Sequence, residues 1–343
     1  MEQKIYIDSL SKNLNIINST YLKKLYDILE NHKIVFPKYL NDEILTKTTG
    51  IYPIPKSKYI DEYLFNKTKS KSVIYTYIFK INNINCSFKY YFKQKQSALL
   101  DKYIMVISYI LSLFSVKNVI NIHLIELEDK KFFNNKYTAL HVNSGFTLYY
   151  NSKIDIFVYR KEESVKVLIH ELLHSIHLSG TYKNNKKLVN YYNNLYNVNI
   201  KTINIDEIYI ELWARLLNCF ICSKYSENHN YNTFNKYVSI EKKISEIQSY
   251  KICNYINNNK NIDINKYTHI VEYYLAVNQL LYNINEFLKY RFSKKKIFYL
   301  KDIQSFINFI ISHPDYKLHK IRKNSIFNNT FRMSVIEFNL PRR

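Results

Sequence analysis

The strongest constraint on the fold of this chain is the point at which its strand patterns stop. Alternating aromatic and β-branched residues, which are typical of strands, lie between residues 72 and 160. Beyond residue 180 the apolar residues recur with helical spacing instead. The predicted strands are a hairpin at 72–92 and single strands at 118–127, 139–150 and 153–160; the predicted helices are 96–116, 165–177, 184–196, 205–223, 233–252 and 267–291. This order predicts an α+β protein.

The same order divides the chain into four predicted regions. Residues 1–60 are predicted to form a helical extension, and residues 61–180 a lobe with a mixed sheet and helices. Residues 181–312 are predicted to form an all-helical lobe, and residues 313–343 a basic tail without a periodic pattern. The helix at 165–177 lies at the junction of the two lobes, where a cleft commonly holds a functional site.

Glycine and cysteine usage exclude several classes of site. The three glycines, Gly50, Gly145 and Gly180, cannot form GxGxxG or GxxxxGK[ST], so neither a Rossmann dinucleotide site nor a P-loop is predicted. Four cysteines are too few and too scattered for a disulfide framework in a chain of this size. Cys219 and Cys222 form a CxxC without a second pair and continue an apolar helical pattern, so they are predicted to pack in the core.

The net charge of +22 has two interpretations. It could mark a surface for an anionic partner such as nucleic acid. It could also reflect a composition rich in Lys, Asn, Ile and Tyr, as an AT-biased genome produces. The lysines are spread over the whole chain and form no single stripe, which favours the compositional explanation.

No membrane segment is predicted. The first residues, MEQKIYIDSLSKN, carry charges where a signal peptide would need an apolar core. The longest apolar run, 103–116, is too short to span a bilayer. A cytoplasmic protein without a membrane partner is therefore expected.

The segment VKVLIHELLHSIH (165–177) contains the motif HExxH at His170, Glu171 and His174. Two histidines four residues apart lie on one face of a helix, so both imidazoles can reach one metal ion. Glu171 points about a quarter-turn away and can hold a water at that ion. The alternative is a helix with satisfied core histidines, but a His-Glu-His set among aliphatic residues is costly to bury unless something pairs with it.

A catalytic zinc needs a third protein ligand and an open position for water. His177 lies two turns from His170 and cannot easily share an ion with both histidines of the motif. Glu207 and Glu211, in NIDEIYIELWARLLN, share a helical face at i and i+4 and lie among apolar residues. One of them can bind the metal while the other accepts a hydrogen bond from a ligand histidine. The spacing alone leaves the order of the two open.

HExxH followed by a helix with two acidic residues four apart resembles the gluzincin branch of the zincin metallopeptidases. The resemblance implies a two-lobed zincin-like fold with the motif helix between the lobes, a Zn²⁺ cofactor, Glu207 as the third ligand and Glu211 as its support. This chain has Asp206 and Glu211 where that family often has Asn before the ligand and Asp four residues after it. The upstream strands match the zincin order as well.

In that layout an edge strand lies along the cleft and pairs with the substrate backbone. Residues 141–147 would be this strand, and Asn143, Ser144 and Gly145 would contact substrate. A glycine inside a strand costs stability, so Gly145 indicates either close backbone approach or a simple bulge. Residues 139–290 as a whole are similar to uncharacterised proteins of large DNA viruses that are classed as metallopeptidases. This similarity implies a viral origin and a location in host cytoplasm or virion.

The expected function is zinc-dependent hydrolysis of a protein or peptide substrate, with Glu171 as general base towards a zinc-activated water. Tyr273 and Tyr274, with His269 behind them, are the predicted donors to the oxyanion. Two other functions are weighed against it. A catalytically silent zincin-like structural or virion-associated protein would not need Glu171. A basic nucleic-acid-binding protein would bind in a strongly salt-dependent way and ignore a metal chelator.

Overall fold

A computed structural model describes fourteen stretches of the chain, which are residues 2–12, 14–35, 38–39, 46–50, 54–69, 72–82, 84–92, 97–114, 118–132, 138–179, 185–259, 263–266, 268–314 and 326–337. The strands are β1 (Lys38–Tyr39), β2 (Thr46–Gly50), β3 (Ser72–Ile81), β4 (Ile84–Phe92), β5 (Val119–Leu127), β6 (Gly145–Tyr149) and β7 (Lys153–Arg160). The helices are α1 (Glu2–Ser11), α2 (Thr20–Glu30), α3 (Glu62–Thr68), α4 (Ser97–Leu113), α5 (Ala139–Val142), α6 (Ser164–Ser175), α7 (Lys186–Tyr196), α8 (Ile205–Lys224), α9 (Tyr231–Asn258), α10 (Val277–Tyr282), α11 (Ile284–Phe292) and α12 (Ile303–Ser312), with a π-helical turn at Val271–Ala276. The chain is therefore a mixed protein of helices and one sheet.

The sheet is mixed, and β6 lies at its edge. Its strand order is β1-β3-β4-β5-β7-β6, with β2 also paired to β3. The predicted hairpin is confirmed, since β3 and β4 pair antiparallel from Val73 opposite Phe92 to Ile81 opposite Ile84. Strands β4, β5 and β7 run parallel, whereas β6 runs antiparallel to β7. Within the described residues, the outer side of β6 pairs with no further strand.

Both faces of the sheet are covered. Successive strand residues point to opposite sides, so each face packs against its own group of residues. Alternate residues of β3, including Tyr75, Tyr77 and Phe79, belong to the main core together with α4 and α6. The opposite face holds a smaller cluster around Phe146 and Phe157, closed by residues 54–64. Helix α6 thus lies against the face of the sheet that belongs to the main core, beside β6 and β7.

Helix α8 is the centre of the helical part. It is buried on every side from Ile208 to Ser223, as expected for a helix whose apolar residues are not confined to one stripe. It packs against α6, α9 and the π-helical turn. Cys219 and Cys222 are buried and free within it, in agreement with their predicted place in the core, and burial raises the pKa of both thiols.

Two parts of the chain differ from the sequence-based expectation. Residues 1–60 are not purely helical, because β1 and β2 extend the sheet on β3. The helices of this region, α1 and α2, pack on α9 and α11 rather than apart from the helical lobe. The sequence of β2, TKTTG, contains no apolar side chain, so it carries no strand signal of the usual amphipathic kind.

The segment 326–337, which falls in the predicted basic tail, runs through the core. Phe331, Val335 and Ile336 are almost fully buried. Its backbone is held by side chains of other elements, including Gln248, which donates to the carbonyl of Arg332 at 2.7 Å, and Asn218, which donates to that of Ile336 at 2.8 Å. Because the segment forms no regular helix or strand, its apolar residues follow neither a helical nor a strand period. The sequence pattern therefore gives no indication that the segment is buried.

None of the helices in the described part of the chain has the length and the apolar content needed to cross a membrane.

Candidate metal centre and its cleft

Helix α6 carries the HExxH motif into the interior between the sheet and α8. It starts at Ser164, preceded by Glu163 in the left-handed conformation with φ 59°. A non-glycine residue in this conformation needs support from its surroundings. Glu163 has it, because its carboxylate accepts hydrogen bonds from Lys131 Nζ at 2.6 Å and from the backbone N–H of Ser334 at 2.6 Å. Glu163 makes no side-chain capping hydrogen bond to α6, and its buried ion pair with Lys131 holds the start of the helix instead.

Three ligand atoms converge at one point. His170 Nε2 lies 3.0 Å from His174 Nε2 and 3.2 Å from Glu207 Oε2, and His174 Nε2 lies 3.4 Å from the same oxygen. Zinc bonds of about 2.0–2.1 Å in tetrahedral geometry place ligand atoms about 3.3 Å apart. These are the distances that three of four tetrahedral ligands would have, so the donor set fits a zinc ion.

The electrostatics of the cluster also favour a cation. Burial disfavours the charged imidazole of His170, but Glu207 and Glu211 outweigh it and raise the pKa of His170 to about 9. Burial opposes the charge of Glu207, yet His174 and His170 hold the pKa of its carboxyl well below the usual range. A carboxylate with two imidazoles at this distance therefore attracts positive charge, either protons or a metal ion.

Glu211 lies behind the cluster rather than in it. Its Oε2 is 2.9 Å from His170 Nδ1, whereas the other ring nitrogen, Nε2, belongs to the cluster. Its other oxygen accepts hydrogen bonds from Lys166 Nζ at 3.0 Å and Arg215 Nε at 2.9 Å. Such a contact fixes the ring orientation and its tautomer. Of the two glutamates that the spacing left open, Glu207 therefore joins the ligand cluster and Glu211 supports His170.

Glu171 faces the cleft from the same helix. Its Oε2 accepts a hydrogen bond from Thr147 Oγ1 at 2.7 Å, so the edge strand orients the carboxylate. Burial raises the pKa of Glu171, although His170 and His174 partly oppose this. A carboxylate with a raised pKa is better suited to accept and return a proton at neutral pH.

The two predicted tyrosines point to different places. They lie on a π-helical turn, a feature that often occurs at functional sites. Tyr273 donates its hydroxyl to Glu207 Oε2 at 2.9 Å and lines the cleft. Tyr274 donates to the carbonyl of Phe331 at 2.8 Å and is 1% exposed. The structure thus brings Tyr273 to the cluster of His170, His174 and Glu207 and leaves Tyr274 in the core.

His269, predicted to lie behind the tyrosines, instead lines the cleft itself. Its Nδ1 lies 3.3 Å from Glu272 Oε1. Glu272 is in turn fixed by Asn265 Nδ2 at 2.8 Å and by the backbone N–H of Asn204 at 2.7 Å. Burial disfavours the charged form of the His269 imidazole, but the Glu272 carboxylate outweighs this and raises the pKa of His269 to about 9. The arrangement presents a cationic donor to the cleft.

The predicted edge strand begins later than expected. Residues 139–142 form the short helix α5, and the strand starts at Gly145 rather than 141. Asn143 and Ser144 lie in the connection and line the cleft with Gly145. The Asn143 side chain is occupied, since it donates to the Tyr59 carbonyl at 3.2 Å and accepts from Thr268 at 2.8 Å. Asn143 follows the last residue of α5 and is held there by these two long-range hydrogen bonds, at a point where the sequence pattern predicted strand.

Gly145 is required by the packing of α6 rather than by a bulge. A Cβ built on it would lie 2.7 Å from Val167 Cγ1, 2.8 Å from the Phe157 carbonyl oxygen and 3.2 Å from Glu171 Oε1. The expected close backbone approach is therefore present, but the approaching partners are α6 and the neighbouring strand β7.

Replacing Gly145 with alanine is expected to destabilise the protein by about 1–3 kcal/mol, because the contact with a backbone carbonyl cannot be relieved by a side-chain rotation. Chemical denaturation measures the difference, with Ser152→Ala at an exposed position of the adjoining turn as the control. Equal stability of the Gly145→Ala variant and the wild type would contradict this account of the glycine.

His177 lies apart from the ligand cluster, as its spacing predicted. It follows α6 in the left-handed conformation with φ 53°, and its ring stacks on Tyr149 with centroids 5.2 Å apart. Both residues line the cleft, Tyr149 as the last residue of β6. His177 is not part of the cluster formed by His170, His174 and Glu207.

Sequence reasoning missed several residues that shape the site. Thr147 orients Glu171, and Lys166 and Arg215 hold Glu211. Lys166 could have been found from the sequence, since it lies one turn before His170 on an otherwise aliphatic helix and needs a buried partner there. Thr147 could not, because its role depends on how β6 packs against α6.

The cleft has a volume of about 720 Å³ and is lined by residues of β6, α6 and α8, among them His170, His174 and Glu207. A volume of this size is within the range that binds small molecules and short peptide segments. No family model matches this chain, and neither curated proteins nor solved structures gave a match.

Proposed function

We propose that this chain is a zinc-dependent peptidase of the zincin type. One observation carries the proposal: the ligand atoms of His170, His174 and Glu207 lie at tetrahedral spacing, with the Glu171 carboxylate beside them in an open cleft. Three protein ligands with room for a fourth are typical of catalytic zinc, whereas structural zinc sites are closed by four. The sheet half and the helical half on either side of α6 and α8 correspond to the two zincin lobes in this proposal.

When bound, zinc would supply a Lewis acid and lower the pKa of a water in the open position. Glu171 accepts a proton from the attacking water and returns it to the leaving amine, with Thr147 holding the carboxylate in place. The outer side of β6 offers backbone groups to an extended substrate by strand addition.

Two residues are available for the oxyanion. His269, charged through Glu272, faces the cleft and can donate from Nε2. Tyr273 can turn its hydroxyl from Glu207 towards the substrate once a metal ion neutralises that carboxylate. Tyr274 plays no part in the proposed reaction, because its hydroxyl is buried against Phe331.

Metal content measured by elemental analysis tests the site. Wild-type protein is expected to hold about one zinc per chain, and Glu207→Ala is expected to lose it, because two imidazoles alone hold zinc poorly. Glu211→Ala keeps all three ligands and is expected to weaken zinc binding by about 10–100-fold, as for other residues that orient a ligand histidine.

The pair is informative because the two glutamates are one helical turn apart on the same helix. Equal losses in both variants, with unchanged circular dichroism, would contradict the assigned order. Wild-type protein that binds no zinc at neutral pH would contradict the proposal itself. Salt-dependent nucleic-acid binding that a chelator leaves unchanged would then support the alternative of a basic binding protein.

A further inference from the structure

The outer edge of β6 presents a definite set of backbone groups. At its start, the backbone N–H of Tyr159 donates to the Ser144 carbonyl at 2.9 Å. At its end, the backbone N–H of Tyr150 donates to the Lys153 carbonyl at 2.9 Å. Residues of an antiparallel pair alternate between those that exchange hydrogen bonds with the partner strand and those that do not. The residues of β6 whose N–H and C=O groups point away from β7 are therefore Gly145, Thr147 and Tyr149.

The side chains of the same residues face α6, because side chains alternate between the two faces of a strand. Phe146 packs into the smaller cluster on the opposite face. Thr147 donates to Glu171 at 2.7 Å, and the Tyr149 ring lies against His177, two residues beyond the end of α6. The outer edge of β6 thus turns both its free backbone groups and the adjoining side chains towards the cleft.

The carboxylate of Glu171 marks the place of the cleaved bond along this edge. One of its oxygens is bound by Thr147, and the other lies 3.2 Å from the position of a Cβ on Gly145. Since this carboxylate is the proposed base, a peptide paired with β6 has its scissile bond beside Gly145 and Thr147. Tyr149 lies two residues further along the strand.

The ring of Tyr149 offers an apolar surface at that position. It is 49% exposed although it lines the cleft, and it stacks on His177 with the ring planes 24° apart. Partial burial and then the Glu171 and Glu207 carboxylates raise the pKa of the Tyr149 hydroxyl, so this group lies near both carboxylates. A half-exposed ring that a stacked neighbour holds in place is a preformed surface for another ring.

Strand addition brings a substrate side chain onto this ring. Antiparallel pairing, which is slightly more stable per residue than parallel pairing, places one substrate residue directly opposite Tyr149. Residues directly opposite each other share a face of the sheet, with Cβ atoms about 4.5–5.5 Å apart. Because the two strands run in opposite directions, this substrate residue precedes the cleaved bond.

We propose that Tyr149, supported by His177, binds an aromatic side chain of the peptide substrate on the N-terminal side of the cleaved bond. The proposal rests on the proposed peptidase function and names its substrate class. Paired aromatic rings attract each other beyond the effect of the area that they bury. An aromatic residue at this position is therefore favoured over an aliphatic residue of similar size.

Binding of peptides to the full-length Glu171→Gln variant, loaded with zinc, tests the proposal without turnover. End-blocked, fluorescently labelled octapeptides carry one phenylalanine moved through a sequence of alanine, serine and glutamine, each matched by a leucine and an arginine peptide. At one position phenylalanine is expected to bind about 2–10-fold more tightly than leucine. Mass spectrometry of the products that wild-type enzyme releases from the same peptides locates the cleaved bond, which is expected to follow that position.

Variants connect the preference to the ring. Tyr149→Ala is expected to abolish the difference between phenylalanine and leucine, whereas Tyr149→Phe keeps the ring and is expected to retain it. Tyr63→Ala is the matched tyrosine control, because Tyr63 is 54% exposed on α3 and does not line the cleft. Thermal unfolding shows whether Tyr149→Ala folds; if it does not, Tyr149→Leu, which removes the ring and keeps an apolar side chain, decides.

The outcomes separate the two proposals. Equal binding of phenylalanine and leucine at every position, tighter binding of arginine, or a preference that survives Tyr149→Ala would overturn the assignment of Tyr149. A preferred position that follows the cleaved bond would overturn it as well. Wild-type enzyme that cleaves the peptides without an aromatic preference would keep the peptidase function and reject the role of Tyr149. A Tyr149-dependent preference for phenylalanine in peptides that wild-type enzyme never cleaves would keep that role and reject the peptidase function.

Discussion

Replacing Glu171 with glutamine is expected to reduce kcat for peptide hydrolysis by about 10²–10⁴-fold, the contribution typical of a general base. The amide keeps the size of the side chain and can still accept a hydrogen bond from Thr147 Oγ1, but it cannot take a proton from water. Zinc content is expected to stay at the wild-type level, because Glu171 is not one of the three clustered ligands. Initial rates with a quenched fluorescent peptide, together with elemental analysis of the same samples, measure both quantities.

Glu128→Gln is the matched control, since its side chain is 79% exposed and its partner Lys161 lies at the surface. Its kcat is expected to equal that of the wild type. Undiminished hydrolysis by Glu171→Gln would contradict the assigned base. A wild-type protein that holds zinc in this site and hydrolyses no peptide would favour the catalytically silent alternative.

Replacing Ile336 with alanine is expected to reduce the free energy of unfolding by about 2–5 kcal/mol, the range for truncating a fully buried aliphatic side chain. Ile336 is 2% exposed and belongs to the main core. It lies two residues from Ser334, whose backbone N–H binds Glu163 at the start of α6. Loosening this segment is therefore expected to weaken zinc binding as well, which a competitive chelator titration measures alongside chemical denaturation.

Ile326→Ala provides the matched control in the same segment. Ile326 is 45% exposed, so its truncation is expected to cost less than about 1 kcal/mol. Similar losses for the two variants would mean that residues 326–337 do not contribute to the core as the structure places them.

Periodicity predicted the regular elements well because local spacing alone determines them. The helices predicted at 96–116 and 205–223 correspond to α4 and α8, and the strand predicted at 118–127 corresponds to β5. Errors occurred where the local pattern is weak or absent. Strand β2, TKTTG, has no apolar side chain, and α5, a helix of four residues, is too short to show a helical period.

In the candidate metal centre, too, local spacing determined some relations and the packing of helices determined others. The sequence by itself determined that His170 and His174 share a helical face with Glu171 beside them, because the period of one helix fixes that relation. The sequence also limited the candidates for a third metal ligand to two glutamates that lie one helical turn apart. Only the tertiary structure decided between them, since the crossing of α6 and α8 brings Glu207 to both imidazoles and Glu211 to the back of one.

The surroundings of the centre depended wholly on tertiary structure. Tyr273 and Tyr274 are neighbours in the chain, yet one hydroxyl reaches Glu207 and the other Phe331, because successive residues of a helical turn point in different directions. The buried segment 326–337 and the buried side chains of Lys131 and Lys166 likewise have partners far away in sequence. Local spacing fixes contacts within one helix, whereas contacts between elements depend on how the whole chain packs.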